Sequence, residues 1–401
     1  MGASSGDTAR GIRLDSMSES PSTRVLVVLP LLGHPRESKR VEMLKACGFE
    51  VKVAAFVRQY HEGRLPDAAV TILGRIQHGQ YLRRLWQLLV AMPRLRSCIR
   101  GASVVYASGP DLAVLSIIAG SFLGVPVVVE VGDLRPIQVA DGLRGWLARR
   151  VDRFFTQRCA LLVSTTEQFI SEYYRKWIRV TTPAITLENK VEKAYGQSVP
   201  SERRSVVPEG IPFRDRPLRI GYFGLLRCPW SWSVLRTLAE RHGERFEVVL
   251  AGLPMDPADL VEQVASTKGV TYIGQFKSPS DLCRLYTSVD LVWACYQEIG
   301  PDDWNLRWAR PNRFYESCLF QRPLVSRKGS CDSVDVAKFD IGHIVSGSDP
   351  IEVADLLTKV TVEDLNRWRV NMSNLPERVY AYTDEEQILK DAILRVTQIR
   401  A

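Results

Sequence analysis

Two stretches of this chain repeat one local pattern: a short β-branched run, a Gly-containing loop or turn, a helical pattern and a second apolar run. In the first, Arg24-Val-Leu-Val-Val-Leu-Pro30 leads through a loop holding Gly33, His34 and Arg36 into a helical pattern over Val41, Leu44 and Lys45. A second run follows at residues 50–56. In the other stretch, Leu218-Arg-Ile-Gly-Tyr-Phe-Gly224 runs into a tight turn, a helix is expected at 233–242, and the next apolar run is 246–251. A strand, a loop, a helix and a second strand in succession are the unit of a parallel sheet. Two such strands joined through a helix are parallel, because a parallel pair needs a long crossover. The chain must therefore wind parallel sheets, and it does so twice.

Further strands are expected at 70–73, 104–107, 125–131 and 161–164, so that one doubly wound domain spans residues 24–196. Residues 197–217, rich in Ser, Pro, Arg and Glu and without periodicity, read as a linker. The pattern then restarts. Strands at 270–273, 291–295 and 323–326 and helices at 257–267, 279–288 and 312–320 complete a second domain over 218–385. A C-terminal helix over 386–401 is placed to cross back to the first domain, and the polar, Ser-rich residues 1–23 read as a disordered tail. The expected fold class is α/β, with two Rossmann-like sheets facing a cleft. Ligands in open α/β sheets bind beyond the carboxyl ends of the strands.

Charge is placed unevenly. Residues 1–200 carry 27 Lys+Arg against 17 Asp+Glu, a net +10, whereas residues 201–401 carry 26 against 28, a net −2. The basic half points to an anionic partner. Two stretches concentrate it: residues 81–100, with Arg83, Arg84, Arg94, Arg96 and Arg100 among Leu and Trp86, and residues 142–158, with Arg144, Arg149, Arg150, Arg153 and Arg158 beside Trp146, Phe154 and Phe155. Aromatic and Leu side chains beside Arg suit a helix lying in an anionic bilayer surface, with Arg83, Arg84, Trp86, Arg94 and Arg96 as the docking group. No helix-turn-helix, RRM or zinc-finger pattern supports a nucleic-acid partner. No run of about 18 apolar residues is present to span a membrane. The eight cysteines form no C-x-x-C pair and do not cluster with histidines, which argues against a zinc site, and no Asp-x-Asp pair clamps another metal.

The second half carries the sharper motifs. Ile220-Gly-Tyr-Phe-Gly224, Val270-Thr-Tyr-Ile-Gly274, Val289-Asp290-Leu291, Arg310-Pro-Asn-Arg-Phe-Tyr-Glu316 and Arg322-Pro-Leu-Val325 follow in that order. The first half adds Glu130-Val-Gly-Asp133-Leu-Arg-Pro136 and Leu187-Glu-Asn-Lys-Val191. Their order and spacing resemble GT-B glycosyltransferases, in particular the retaining family numbered 4 and its surface-polysaccharide branch. There are departures. Trp308 stands where the family places a first Glu, eight residues before the helix Glu, and no Lys follows Arg227.

The resemblance implies a hexosyl transferase, retaining in the family's manner, that moves a sugar from a nucleotide-diphosphate donor to a lipid-linked saccharide in polysaccharide biosynthesis. It implies no cofactor beyond the donor and no metal, and a peripheral place at the cytoplasmic face of the cell membrane. A ribose needs a carboxylate to accept its two hydroxyls, and Glu316 is the candidate. The departing diphosphate needs fixed positive charge, from Arg227 and Arg313, with Gly224 and Asn312 completing the donor site and Arg310 and Arg307 behind them. Gly33, His34, Arg36 and Glu130 are expected on cleft loops facing the acceptor. Asp133 is the general base if the enzyme inverts, and orients acceptor or sugar if it retains. Two alternatives stay open: a catalytically silent GT-B partner subunit and a GT-B-fold sugar-nucleotide epimerase. The residues speak against a dehydrogenase, since neither first-strand turn holds G-x-G-x-x-G.

Overall fold

The computed structural model describes residues 23–33, 35–57, 65–75, 81–200 and 216–398, with backbone alone for residues 35 and 81–85. Two parallel sheets organise it. The first has seven strands in the order β3-β2-β1-β4-β5-β6-β7: β1 Arg24–Leu29, β2 Glu50–Val57, β3 Ala69–Arg75, β4 Val104–Ser108, β5 Val127–Val131, β6 Leu161–Ser164 and β7 Ala184–Thr186. The second has six in the order β10-β9-β8-β11-β12-β13: β8 Leu218–Leu226, β9 Phe246–Pro254, β10 Val270–Tyr272, β11 Leu291–Trp293, β12 Leu324–Arg327 and β13 Gly342–Val345. Every residue of β4, β5 and β6 is buried, as continuous apolar runs require. The edge strands β7 and β13 escape the sequence reading, because three or four half-exposed residues carry no usable pattern.

Helices cover both faces of each sheet. On one face of the first, α1 (Pro35–Ala46) encloses Val25, Val27, Val41 and Leu44 with β1 and β2. On the other, α2 (Tyr81–Ile99) and α3 (Pro110–Ala119) pack Leu95, Ile99, Leu112 and Leu115 against β4 and β5. The short α4 (Pro136–Val139) and α5 (Gly142–Thr156) follow, with α5 beside α3. A π-helical segment, Phe169–Trp177, precedes β7, and α6 (Lys193–Ser198) follows it. In the second domain α7 (Pro229–His242), α8 (Leu260–Ala265), α9 (Leu282–Thr287), α10 (Trp304–Trp308), α11 (Asn312–Leu319), α12 (Cys331–Phe339), α13 (Pro350–Leu357) and α14 (Val362–Ser373) alternate with the strands. The final α15 (Glu385–Gln398) returns to the first domain, burying Leu389, Ile393 and Val396 against β1 and β4. Lys190, at the crossing point, meets Glu385 at 2.6 Å.

One local expectation is corrected. β8 does not turn at Gly224 but runs on to Leu226. Gly224 (φ +112°) lies in register with Gly252 (φ +128°), where a Cβ would stand 1.9 Å from the Gly224 carbonyl oxygen. The glycines let two neighbouring strands kink together, and the loop begins two residues later. In both sheets the strand order reverses beside the first strand, between β1 and β4 and between β8 and β11, which places the ligand crevice beyond their carboxyl ends.

Candidate functional site

The carboxyl ends of β5, β8, β11 and β12 meet in one cleft between the domains. It is lined by Asp133 from the first domain and by Arg227, Tyr296, Asn305, Arg310, Arg327, Ser330 and Asp332 from the second. Asp133 follows β5 and is exposed. Its carboxylate lies 3.7 Å from the Arg36 guanidinium, which also meets Glu37 at 3.3 Å. Arg36 packs over Gly132, where a Cβ would stand 1.7 Å from Nη1, so this position tolerates no side chain while Arg36 stays. Burial disfavours the Arg36 charge, but Glu37, Glu130 and Asp133 outweigh it and hold its pKa above the ordinary value.

Gly33 supplies a left-handed turn (φ +88°) before α1, and His34 lies outside the described residues. Glu130 is not a loop residue. It sits inside β5, 4% exposed, where Arg40 donates Nε and Nη2 to its two oxygens at 3.1 and 3.0 Å and the Tyr106 hydroxyl donates at 2.7 Å. Burial raises its pKa, but the Arg40 pair prevails and lowers it. It anchors α1 to the sheet, and Asp133 alone of that motif's acids reaches the cleft.

On the opposite wall Arg227 is exposed directly after β8, as its position suggests. Arg313 is corrected: it is 6% exposed and does not line the cleft. It lies beneath the cleft floor, donating to the Trp293 carbonyl at 3.1 Å and to the Tyr296 hydroxyl at 2.5 Å, and stacks on the Tyr222 and Tyr296 rings. Arg310, a secondary candidate by sequence, does line the cleft and is saturated with acids: Asp332 at 3.0 Å, Asp335 at 2.5 Å and Glu188 at 3.9 Å. Glu316 sits apart from this cleft, buried in α11, its Oε2 accepting from the Tyr286 hydroxyl at 2.6 Å. Burial raises its pKa, against the pull of Tyr286, Lys39 of the first domain and Arg313. Asn312 opens α11 and accepts from the Asn189 amide at 2.6 Å across the domain junction.

Sequence reasoning missed Arg327, Tyr296 and Asp332. The available signal was Leu324-Val-Ser-Arg327 followed by Gly329-Ser330, a strand ending in Arg before a helix whose cap is Ser330. Asp332, in the first turn of α12, is fully buried, and burial lifts its pKa to about 7 even with Arg310 beside it.

Trp308, at the position where the resemblance leads one to expect a Glu, does not line the cleft. Trp304, Trp308 and Ala309 pack on the core of the first domain, with Trp308 against Phe169 at 6.5 Å and Trp304 against Tyr173 at 6.1 Å and Trp177 at 5.0 Å. Between them Asn305 closes two hydrogen bonds with the Leu134 backbone, accepting at 2.9 Å and donating at 2.7 Å. The α10 segment thus clasps one domain to the other.

The docking group divides. Trp86 and Arg94 are exposed on α2, whereas Arg96 is structural, donating to the Ala119 and Ser121 carbonyls at 2.7 and 2.9 Å. The side chains of Arg83 and Arg84 lie outside the described residues. The larger apolar face belongs to α5: Leu143, Trp146, Leu147, Val151 and Phe154 share one side and are 45–78% exposed. Arg150 lies over Trp146 and Arg158 over Phe154. No helix among the described residues is long and apolar enough to cross a membrane.

Residues 39–189 match the family model described as a glycosyl transferase 4-like domain. The succinoglycan biosynthesis protein ExoL of Rhizobium meliloti (strain 1021) is 27% identical over 346 residues, 84% of this chain and 85% of that protein. Among solved structures, HepE of Anabaena in complex with UDP is similar at a TM-score of 0.61 and 15% identity, over 94% of this chain and 98% of that one. Sucrose-phosphate synthase of Thermosynechococcus elongatus is similar at a TM-score of 0.67 and 11% identity, over 94% and 100%. The shared fold is GT-B.

Proposed function

We propose that this chain, a GT-B glycosyltransferase of the family 4 type, moves a hexosyl group from a nucleoside-diphosphate sugar to a lipid-linked saccharide of polysaccharide biosynthesis, with retention of configuration. The observation that carries the reading is the cleft in which Asp133 of one domain faces Arg227 of the other. The relatives point the same way: HepE is described with UDP, and ExoL with succinoglycan biosynthesis.

The division of labour follows from the charges. Negative charge grows on the diphosphate as the glycosidic bond breaks, and Arg227 meets it without reorganisation. With arginine in that role the transfer needs no metal, so chelation leaves it unchanged. Asp133, tethered by Arg36, orients the acceptor hydroxyl, and the departing phosphate takes its proton. Glu316, held by Tyr286, accepts the ribose hydroxyls.

A thermal-shift screen of nucleoside diphosphates tests donor binding, since a ligand that binds only the folded state raises the melting temperature. Glu316→Ala should weaken the nucleotide that binds by about 1.5–3 kcal/mol. Transfer or slow hydrolysis of the matching sugar nucleotide separates an enzyme from a silent subunit, and absence of both sinks the reading.

The acceptor side is a membrane surface at its cytoplasmic face. An apolar, aromatic stripe on α5 with Arg144, Arg150 and Arg158 matches an anionic interface, each basic residue contributing about 1 kcal/mol. The test is vesicle co-sedimentation with anionic and neutral lipid. Trp146→Ser with Phe154→Ser should release the protein, and binding that survives both changes would place docking elsewhere.

A further inference from the structure

The three arginines around Tyr296 are compensated very differently. Arg310 has three carboxylates within 4 Å. Arg327 is more deeply buried, 3% exposed, and no carboxylate lies within ion-pair distance of it among the described residues. Its Nε donates to the Tyr296 carbonyl at 2.9 Å and its Nη1 to the Gly347 carbonyl at 2.6 Å. The Trp230 ring lies 4.2 Å beneath. The remaining nitrogen, Nη2, has no partner among the described residues, and Arg327 lines the cleft. Two carbonyls and an aromatic face fix the plane of a guanidinium without neutralising it, and a buried charge left unpaired is costly. Arg313, on the other side of Tyr296, repeats the pattern: its contacts are a carbonyl, a hydroxyl and two rings. Glu316 and Asp332 still feel the Arg313 charge, so it is at Arg327 that the cleft floor holds a fixed positive charge with no carboxylate in contact among the described residues.

We propose that Arg327 is an anchoring residue for the diphosphate of the donor, standing where the chain lacks a lysine after Arg227. This rests on the donor-site reading above. A diphosphate offers two phosphates. Arg227 approaches from the end of β8 and Arg327 from the end of β12, two strands apart in the sheet with β11 and Tyr296 between them. The loop after Arg327 leads to the capped start of α12, whose Ser330 also lines the cleft. The fork geometry of arginine suits this place better than lysine: two nitrogens stay with the backbone while the third is left for a phosphate oxygen. Arg313 does not touch the anion and acts through Tyr296, whose hydroxyl it holds.

The probes are inorganic pyrophosphate, which is indifferent to the base, and UDP. Both should raise the melting temperature of the full chain, and Arg327→Gln should bind pyrophosphate about tenfold more weakly or worse, as for loss of a charge-assisted bond. A merely structural arginine would lower the ligand-free melting temperature when removed. Here that temperature should hold or rise, because the residue removed had no counter-charge in the fold. Arg327→Lys keeps the charge without the fork and should fall between. Trp230 gives a second readout in protein with Arg327 intact. Pyrophosphate should change tryptophan fluorescence in the wild type, and Trp230→Phe should abolish the change. Equal pyrophosphate affinity in wild type and Arg327→Gln overturns the proposal, as does a fluorescence response of full amplitude in Trp230→Phe. A wild-type protein that ignores pyrophosphate and every nucleoside diphosphate overturns the donor site itself, and Arg327's role with it.

Discussion

Replacing Trp308 by alanine should loosen the two domains without unfolding either. Trp308 is half-buried against Phe169 of the first domain and Trp304 of its own helix. Truncating a fully buried large aromatic costs about 3–5 kcal/mol, so a half-buried one crossing the domain boundary is worth about 2 kcal/mol. That energy is lost from the closed arrangement rather than from either sheet, and about 2 kcal/mol is roughly a 30-fold change in the open-to-closed ratio. The Leu134 amide reports it, because it donates to Asn305 of the opposite domain at 2.9 Å and is freed only when the clasp parts. Hydrogen exchange at Leu134 should quicken by about 30-fold in Trp308→Ala, while amides within β5 stay protected. The radius of gyration in solution should grow, and saturating nucleotide should reverse the growth. Unchanged exchange at Leu134 would show that α10 packs on the first domain without holding it, and the clasp would have to be abandoned.

Glu130→Gln should strand Arg40 as a buried, unpaired cation and cost about 3–5 kcal/mol in urea unfolding, well beyond an ordinary surface change. Acid should act on the same pair. The Glu130 pKa is lowered in the fold, so its contribution is present above the ordinary carboxylate range and lost as pH falls through the lowered value. Asp332 should act in the opposite sense. Its pKa is raised from 3.8 to about 7, so the folded state holds the proton more tightly and stability declines as pH climbs between those values. Asp332→Asn should flatten that decline in a series of melting temperatures. Gly132→Ala should push the Arg36 guanidinium aside, because the new methyl would fall 1.7 Å from Nη1. The arginine tip can swing, so turnover should drop while the melting temperature barely moves.

The architecture is legible in the amino-acid sequence alone. Runs such as Val104 to Ala107 and Val127 to Val129 are apolar on both sides, which only a sheet covered on both faces can bury, and such a sheet is parallel. The position of Asp133 and Arg227 just past strands was legible for the same reason, since strand ends define the crevice. What the sequence could not determine was which charges meet. Arg40 finds Glu130 at a separation of 90 residues, and Arg310 finds Glu188 from the other domain. Arg313 and Arg327 meet carbonyls and rings instead, although nothing local distinguishes the four arginines. Glu130 and Asp133 lie three residues apart, yet one is sealed inside β5 and the other exposed at the cleft, because the strand ends between them. Trp308 reads as an absent glutamate until the domains are set together, when it becomes a contact between them. Local pattern fixes whether a residue lies on a strand, a helix or a loop. Whether its charge is spent inside the fold or left for a ligand depends on which distant side chains the packing brings within a few ångströms.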